Sequence, residues 1–322
     1  MKICVTGGNG MVGKCIKDIQ EQYSEHTFIF LHRNSGEHSV ELTSRIDVLN
    51  YFSNYKYDAI IHLAADVGGL YKNMDKNIEM FNNNMLINQN ILEAAHKYDI
   101  QRGIFCLSSC IYPANPSKFP MDENMIHEGP PHRSNEGYAY AKRMLEFQCR
   151  NYNKVYGREY ICVIPVNLYG PYDNFSLTDG HLIPMIMHRF YKENTNSIYK
   201  GGKEFIAYGS GQPLRQFLFA PDFAKIICEI LIGEKYKNTE PLICCNNHVF
   251  KIKEVIETIC DIMNIPRKKV IWDTTKSDGC MKKTVTNVKF KSIYPDFKFT
   301  NLKDGLEYTY AWICANYYNI RK

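Results

Sequence analysis

Five residues from three separated stretches of the chain, Ser108, Cys110, Tyr138, Lys142 and His181, form a set suited to work on a carbonyl compound. Tyr138 and Lys142 stand four apart, so on a helix they share one face, a turn from each other. A free phenol titrates near ~10, and a neighbouring ammonium favours its ionised form, which would make Tyr138 a usable acid near neutral pH. Ser108, at the end of an apolar run, would hold the carbonyl. Such a Ser/Tyr/Lys trio can place a hydride and a proton on a ketone. Cys110 follows Ser108 by two positions, on the same side of an extended segment. It reads either as a small buried hydrophobe or, if a lysine or a helix dipole lowers its ordinary value of ~8.5, as a base for the carbons flanking that ketone. Its place beside the carbonyl-binding serine favours the base. His181, in Asp179-Gly-His-Leu-Ile-Pro184, is either a structural histidine or the matching proton donor.

Hydride chemistry needs a cofactor, and the chain opens on a loop that fits one. Gly7, Gly8, Asn9, Gly10, Met11, Val12 and Gly13 join an apolar run, Ile3 to Thr6, to a helical pattern at Met11, Val12, Cys15, Ile16 and Ile19. In that spacing Gly7 allows a tight turn, Gly10 lets the backbone approach a pyrophosphate and Gly13 lets the helix pack close. The helix N-terminus offers N–H groups and a positive dipole end to the anion. The second apolar run ends in Leu31-His32-Arg33-Asn34, without the acid that would bind an unmodified ribose. Arg33 is either a solvated loop charge or the partner of a 2′-phosphate, and the second reading predicts NADP(H). Asp47 is expected to cap the third strand–helix unit or to bond the adenine edge.

Alternating strands and helices must carry these residues. Ile3 to Thr6, Phe28 to Leu31, Ala59 to Leu63, Ile104 to Leu107 and Tyr160 to Val166 read as strands. Between them lie an Asn-rich helix holding Met85, Ile87, Ile91, Leu92 and Ala95, and one running from Tyr138 through Met144, Leu145 and Phe147 towards Tyr156. The rhythm predicts an α/β fold, a Rossmann-type doubly wound parallel sheet. After about residue 170 Gly and Pro punctuation thickens at Gly170-Pro171, Gly201-Gly202 and Gly209-Ser-Gly-Gln-Pro213, and the elements shorten. Residues 1–170 are therefore expected to bind the dinucleotide. Residues 171–322 are expected to form mainly a smaller C-terminal α/β substrate-binding lobe, with some chain returning to the first. The abundant Asn, Lys, Ile and Tyr are given no functional weight.

Composition bounds the function classes. An apolar fraction of 45% over 322 residues supports a sizeable core. A net charge of +5 is too small for a general nucleic-acid binder. No apolar run approaches the ~20 residues a membrane span needs. The N-terminus reads as entering a strand at once, so no signal peptide is expected. The 12 cysteines are scattered and read as reduced thiols, which predicts a cytoplasmic protein, and no Cys or His spacing predicts a metal.

In Gly7-x-x-Gly10-x-x-Gly13 and Tyr138-x-x-x-Lys142 the chain resembles the extended short-chain dehydrogenase/reductase family. Ile61 to Gly69, Ser108-Ser-Cys-Ile-Tyr-Pro113, Asn167 to Phe175, Gly209 to Arg215 and Lys276 to Gly279 resemble one branch of it. That resemblance implies conversion of GDP-4-keto-6-deoxy-D-mannose to GDP-L-fucose, by epimerisation at carbons 3 and 5 followed by NADPH-dependent reduction of the 4-keto group. It implies Tyr138 as the acid of the reduction with Lys142 and Ser108 as helpers, and Cys110 and His181 as base and acid of the epimerisation. NADP(H) would touch, besides the glycine loop, Leu63, Ala64, Ala65, Cys106, Leu107, Ser108, Ser109, Tyr138, Lys142, Pro165, Val166, Asn167, Leu168 and His181. The GDP-sugar would touch Asn167, Arg189, Tyr208, Arg215, Asp278 and Lys283. Tyr208 stands where bacterial members carry Trp, keeping an aromatic face for guanine without the indole N–H. A homodimer through the helix near residues 78–97 and the one at Tyr138 is implied as well. Rival activities on this fold fit less well: a 4,6-dehydratase would carry Thr-Asp-Glu where Ser108-Ser109-Cys110 stands, a 4-epimerase needs no thiol/imidazole pair, and a non-catalytic cofactor sensor typically lacks the Tyr or the Lys.

Overall fold

Short apolar runs, buried on both faces, build the centre of the first half. In order they are β1 (Lys2–Thr6), α1 (Met11–Ile19), β2 (Thr27–Phe30), α2 (Arg45–Asn54) and β3 (Ala59–His62), then α3 (Leu70–Asp75), α4 (Asn77–Lys97), β4 (Arg102–Cys106), α5 (Glu136–Tyr156) and β5 (Glu159–Pro165). This computed structural model describes residues 1–195, 204–233, 235, 236 and 238–322; the Gly201-Gly202 turn expected from the sequence lies outside them. All four residues of β3 are buried, and six of the seven in β5, which is why these strands read as continuous apolar runs instead of alternating ones. α1 turns Val12, Cys15, Ile16 and Ile19 inward. α5 stops at Gly157, whose φ of +65° is the left-handed conformation that ends a helix most easily at glycine.

The second half has shorter pieces. It runs β6 (Asn167–Tyr169), α6 (Leu182–Thr195), β7 (Phe205–Tyr208), β8 (Leu214–Arg215), β9 (Phe217–Phe219) and α7 (Ala220–Ile232), then β10 (Leu242–Cys244), β11 (Phe250–Lys251), α8 (Ile252–Ile262), β12 (Val270–Asp273), α9 (Val288–Ile293) and α10 (Leu302–Asn316). β10 joins the main sheet beside β5, giving the all-parallel order β10-β5-β4-β3-β1-β2. This is the Rossmann-type sheet the alternation predicted. β6 pairs with β9, β7 with β12 and β8 with β11 in separate two-stranded ribbons. A second apolar cluster, around Phe175, Phe190, Phe205, Val255, Ile259 and Leu306, lies under α6, α8 and α10.

From β1 the chain steps out to β2 and returns to β3 on the other side of β1. Crossovers therefore diverge between β1 and β3, opening a crevice beyond the carboxyl ends of the strands. The residues singled out above sit at those ends.

α4 differs from its expected pattern. Met85 and Ile87 are only half-buried, whereas Asn84, Asn88 and Asn90 are buried with Ile91, Leu92 and Ala95. Asn90 donates to Leu42 O at 2.9 Å, and Asn84 both accepts from Asp66 N and donates to Asp66 O at 2.9 Å. The asparagines hold loops that a purely apolar face would leave unpaired. No helix among the described residues is long and apolar enough to cross a membrane.

Candidate active site

The loop after β1 is shaped by what glycine leaves out. Gly7 has φ +74°, and a Cβ there would meet Ala64 N at 2.9 Å. A Cβ at Gly13 would lie 2.5 Å from Gly7 O and 2.8 Å from Gly8 Cα. Gly8 N donates to Leu31 O and Gly10 N to Gly7 O. Gly10 caps α1 with no side chain on the first-turn amides, so the cradle and the helix dipole together fit a dinucleotide pyrophosphate. Arg33 is exposed beyond β2. Asp47 is not the cap: it is exposed in the first turn of α2, and Ser44 caps that helix by accepting from Asp47 N at 3.3 Å. A short hydroxyl just before the helix reaches the orphan amide that a carboxylate three residues inside it does not.

Beneath the loop runs a buried chain of hydrogen bonds. Leu63 N and Ala64 N both donate to Thr6 Oγ1 at 3.2 Å. The hydroxyl proton is thereby directed to His62 Nδ1 at 2.8 Å, which leaves Nε2–H to donate to Asn88 Oδ1 at 3.1 Å. Asn88 in turn donates to Ala141 O at 3.4 Å, one residue before Lys142. Burial pushes the His62 imidazole down to about 3, and the Lys142 charge pushes the same way, so the ring is neutral. Sequence reasoning missed this chain. Its signal was Asn84, Asn88 and Asn90 in one helix, since a poor helix former inside a helix needs a tertiary reason.

The catalytic end is assembled at β4 and α5. Ser108 is not followed by extended chain as expected. Its Oγ accepts from Cys110 N at 3.2 Å, and residues Ser109–Ile111 wind into one 3₁₀ turn. A serine hydroxyl competes well for a nearby amide, which is the reason for the turn. Ser108 also hydrogen-bonds the Tyr138 hydroxyl. Lys142 is buried, its Nζ 5.9 Å from the centre of the Tyr138 ring and donating to Cys106 O at 2.7 Å. With the ammonium turned to that carbonyl, burial dominates and holds the phenol well above its ordinary value, with Cys106 and Cys110 adding to the effect. The expectation of a lowered Tyr138 is therefore corrected: the phenol is neutral, with a proton to give. Burial alone would raise the Cys110 thiol, yet Lys283, Ser108 and Arg215 outweigh it and hold it below its ordinary value.

The other expected residues form two groups. Lys283 and Arg215 reach Cys110 from the second lobe. Arg189 lies over Tyr208, its guanidinium carbon 4.2 Å from the ring centre, with Lys276 and Tyr71 also against that ring. Aromatic face and guanidinium thus form one stacked unit. Asp278 is engaged within the fold, accepting from Ser210 N and Oγ at 2.7 Å. Asn167 donates to Gln216 O at 2.8 Å. His181 is exposed, in a turn docked on the loop after β3 through Gly69 N and Asp179 O at 2.9 Å. Leu107 is tied to β5 through Val163 O; Pro165 and Val166 are buried at that strand's end, and Ala65, Cys106 and Leu168 are half-buried. Among the described residues no three His, Cys, Asp or Glu side chains cluster as a metal would need.

Comparison with known proteins gives a consistent picture. Residues 3–241 match the NAD dependent epimerase/dehydratase family. The chain is 39% identical over 322 residues to a GDP-L-fucose synthase of Dictyostelium discoideum, covering 99% of this chain and 97% of the relative. A probable GDP-L-fucose synthase of Drosophila melanogaster is 40% identical, with 100% and 99% covered. The crystal structure of a GDP-L-fucose synthetase from Naegleria fowleri bound to NADP superposes with a TM-score of 0.88 at 37% identity, over 100% of this chain and 95% of that one.

Proposed function

The chain belongs to the NAD dependent epimerase/dehydratase family, and we propose that its site inverts carbons 3 and 5 of GDP-4-keto-6-deoxy-D-mannose and then reduces carbon 4, giving GDP-L-fucose. The observation that carries this reading is the thiol of Cys110, below its ordinary value, in the same turn as the Ser108 hydroxyl and against Tyr138. One ketone acidifies the hydrogens on both flanking carbons, so a single base and a single acid can serve both inversions. Ser108 and Tyr138 donate to the ketone oxygen and stabilise the charge that develops there. Cys110 takes the ring proton, His181 returns one on the other face, and Tyr138 protonates the oxygen as the ketone is reduced. NADPH, when bound, supplies the hydride. The glycine loop and the α1 terminus hold its pyrophosphate, Arg33 its 2′-phosphate and Lys142 its ribose. Arg189 and Tyr208 take the GDP end, whose remote binding energy positions the sugar.

Supporting features extend the proposal. Exposed apolar side chains on α4 and α5 fit a homodimer through those helices. All 12 cysteines are free, which fits a reducing cytoplasm. We assign residues 1–170 to the dinucleotide and most of 171–322 to the sugar nucleotide. The test is to supply the purified protein with GDP-4-keto-6-deoxy-D-mannose and NADPH and identify the sugar by NMR. GDP-L-fucose is the expected product; a product that keeps the starting configuration at carbons 3 and 5 overturns the assignment.

A further inference from the structure

Burial raises a thiol, so something must outweigh it to hold Cys110 below its ordinary value, and the largest opposing charge comes from the second lobe. Lys283 Nζ donates to Cys110 Sγ at 3.5 Å, linking residues 173 positions apart in sequence. The backbone carrying Lys283 is pinned on three sides. Lys283 N donates to Leu214 O at 3.3 Å. Met121 N donates to Thr284 O, and Thr286 N to Met121 O, both at 2.9 Å. The buried Gln216 amide closes on Val285, accepting from its N–H at 2.8 Å and donating to its carbonyl at 3.0 Å. A long, flexible side chain is thus delivered to the sulfur from a fixed root, the arrangement that makes an ion pair persist.

We propose that Lys283 is a catalytic residue of the epimerisation, the cation that holds Cys110 as a thiolate, and not a clamp on the diphosphate of the sugar nucleotide. The inference rests on the reading of the reaction given above. The groups facing the sulfur agree with it. Arg215 from β8 adds a second positive charge, Ser108 adds a hydrogen bond from its own turn, and Tyr138 from α5 is neutral. His132 faces Lys283 and Arg215; burial and then those two charges lower it, so it stays neutral near pH 7. Asp278 and Cys280 face Arg215. The protons balance. The thiolate takes a ring proton and becomes a thiol, while the C–H pair moves to the ketone oxygen as an enolate. His181, lowered by desolvation and then by the Arg321 charge and so neutral at rest near pH 7, takes a proton from water and passes it to that carbon from the other face. Before the second inversion the thiol returns its proton to water and His181 regains one. Lys283 stays charged throughout.

The test reads the thiol without the substrate. Iodoacetamide alkylation of Cys110, followed by peptide mass spectrometry against pH, is expected to show a wild-type midpoint below the ordinary ~8.5 of a thiol. Lys283→Met is expected to raise that midpoint by about one unit or more, and Lys283→Arg to recover most of the shift. In Lys283→Met, deuterium uptake from D₂O by GDP-4-keto-6-deoxy-D-mannose, measured without NADPH, should have its acid limb displaced to higher pH by the same shift. A wild-type midpoint at or above the ordinary value overturns the proposal without any variant. So does a Lys283→Met midpoint that stays in place while KM for the sugar nucleotide rises. A lowered wild-type midpoint with no deuterium uptake fails differently: it refutes the reading of the reaction, and with it the catalytic role, while leaving the ion pair intact.

Discussion

On the proposed reading Cys110 and Tyr138, both beside Ser108, move different protons, so single substitutions should separate the two halves of the reaction. Cys110→Ser keeps the size and the hydrogen bond but removes a base able to ionise near neutral pH. Deuterium uptake at carbons 3 and 5 should fall by about 100-fold or more, the usual weight of general base catalysis. NADPH binding, measured by fluorescence titration, should survive because the hydrogen bonds of Cys110 run to Ser108 and Lys283 and the glycine loop is built separately, from backbone. Tyr138→Phe should weigh more on the reduction than on the inversions. On the proposed reading the neutral phenol gives its proton to the reduced oxygen, so NADPH oxidation should fall by about 100-fold, while deuterium uptake, which keeps Ser108 as a donor to the enolate oxygen, should fall less. Equal losses of both readouts in both variants would mean that the residues act as one unit. That Ser108, Cys110, Tyr138 and Lys142 come together was legible in the sequence, because a strand end and one helical turn fix their neighbours locally. The partner of Cys110 was not, because nothing in local spacing relates position 110 to position 283.

Elements were legible where burial follows a single period. The glycine loop, its strand and α1 stand as read, since their constraint is steric and local: a side chain at Gly13 would collide with Gly7 and Gly8. Gly13→Val should therefore cost about 1–3 kcal/mol, the range for overpacking, lowering the melting temperature and abolishing NADPH binding. α4 was legible as a helix but not in its facing, because its buried side includes three asparagines whose partners lie on other elements. Among these partners His62 gives a pH prediction. Its folded-state value of about 3 is lower than that of a free imidazole, so the unfolded chain binds the proton first as pH falls. Stability should be level above about pH 6.5 and decline below it, by about 2 kcal/mol at pH 5 from this one group. His132, His181 and His188 are lowered as well and add to the slope in the same sense. Comparing His62→Gln with the parent isolates the His62 share. The variant should be less stable near neutral pH, where Thr6 and Asn88 lose their partner, and should melt with a shallower acid limb. Parallel acid limbs would show that the imidazole does not titrate on unfolding.

At the scale of the whole molecule, the sequence separated a regular first half from an irregular second half because parallel βαβ units repeat and the second half does not. It could not say that β10 would close the sheet beside β5, since three residues carry no period of their own. The same limit applies to the outer faces of α4 and α5. These helices pack on one another, and their outward sides carry Ile78 at 71% exposure, Leu86 at 46%, Tyr140 at 37% and Phe147 at 48%. On a helix an eight-residue step returns near the starting face, as from Ile78 to Leu86, and so does a seven-residue step, as from Tyr140 to Phe147. Each helix therefore presents an apolar stripe away from its own core, and two copies meeting there would bury both. Replacing Leu86 and Phe147 together with Glu would place carboxylates in that contact, where an unpaired charge is costly. Both side chains are exposed within one chain, so the variant should keep its circular dichroism and melting temperature while changing in sedimentation velocity from dimer to monomer. An unchanged sedimentation coefficient would move the interface elsewhere, and a wild-type protein that sediments as a monomer at the same concentration would remove it.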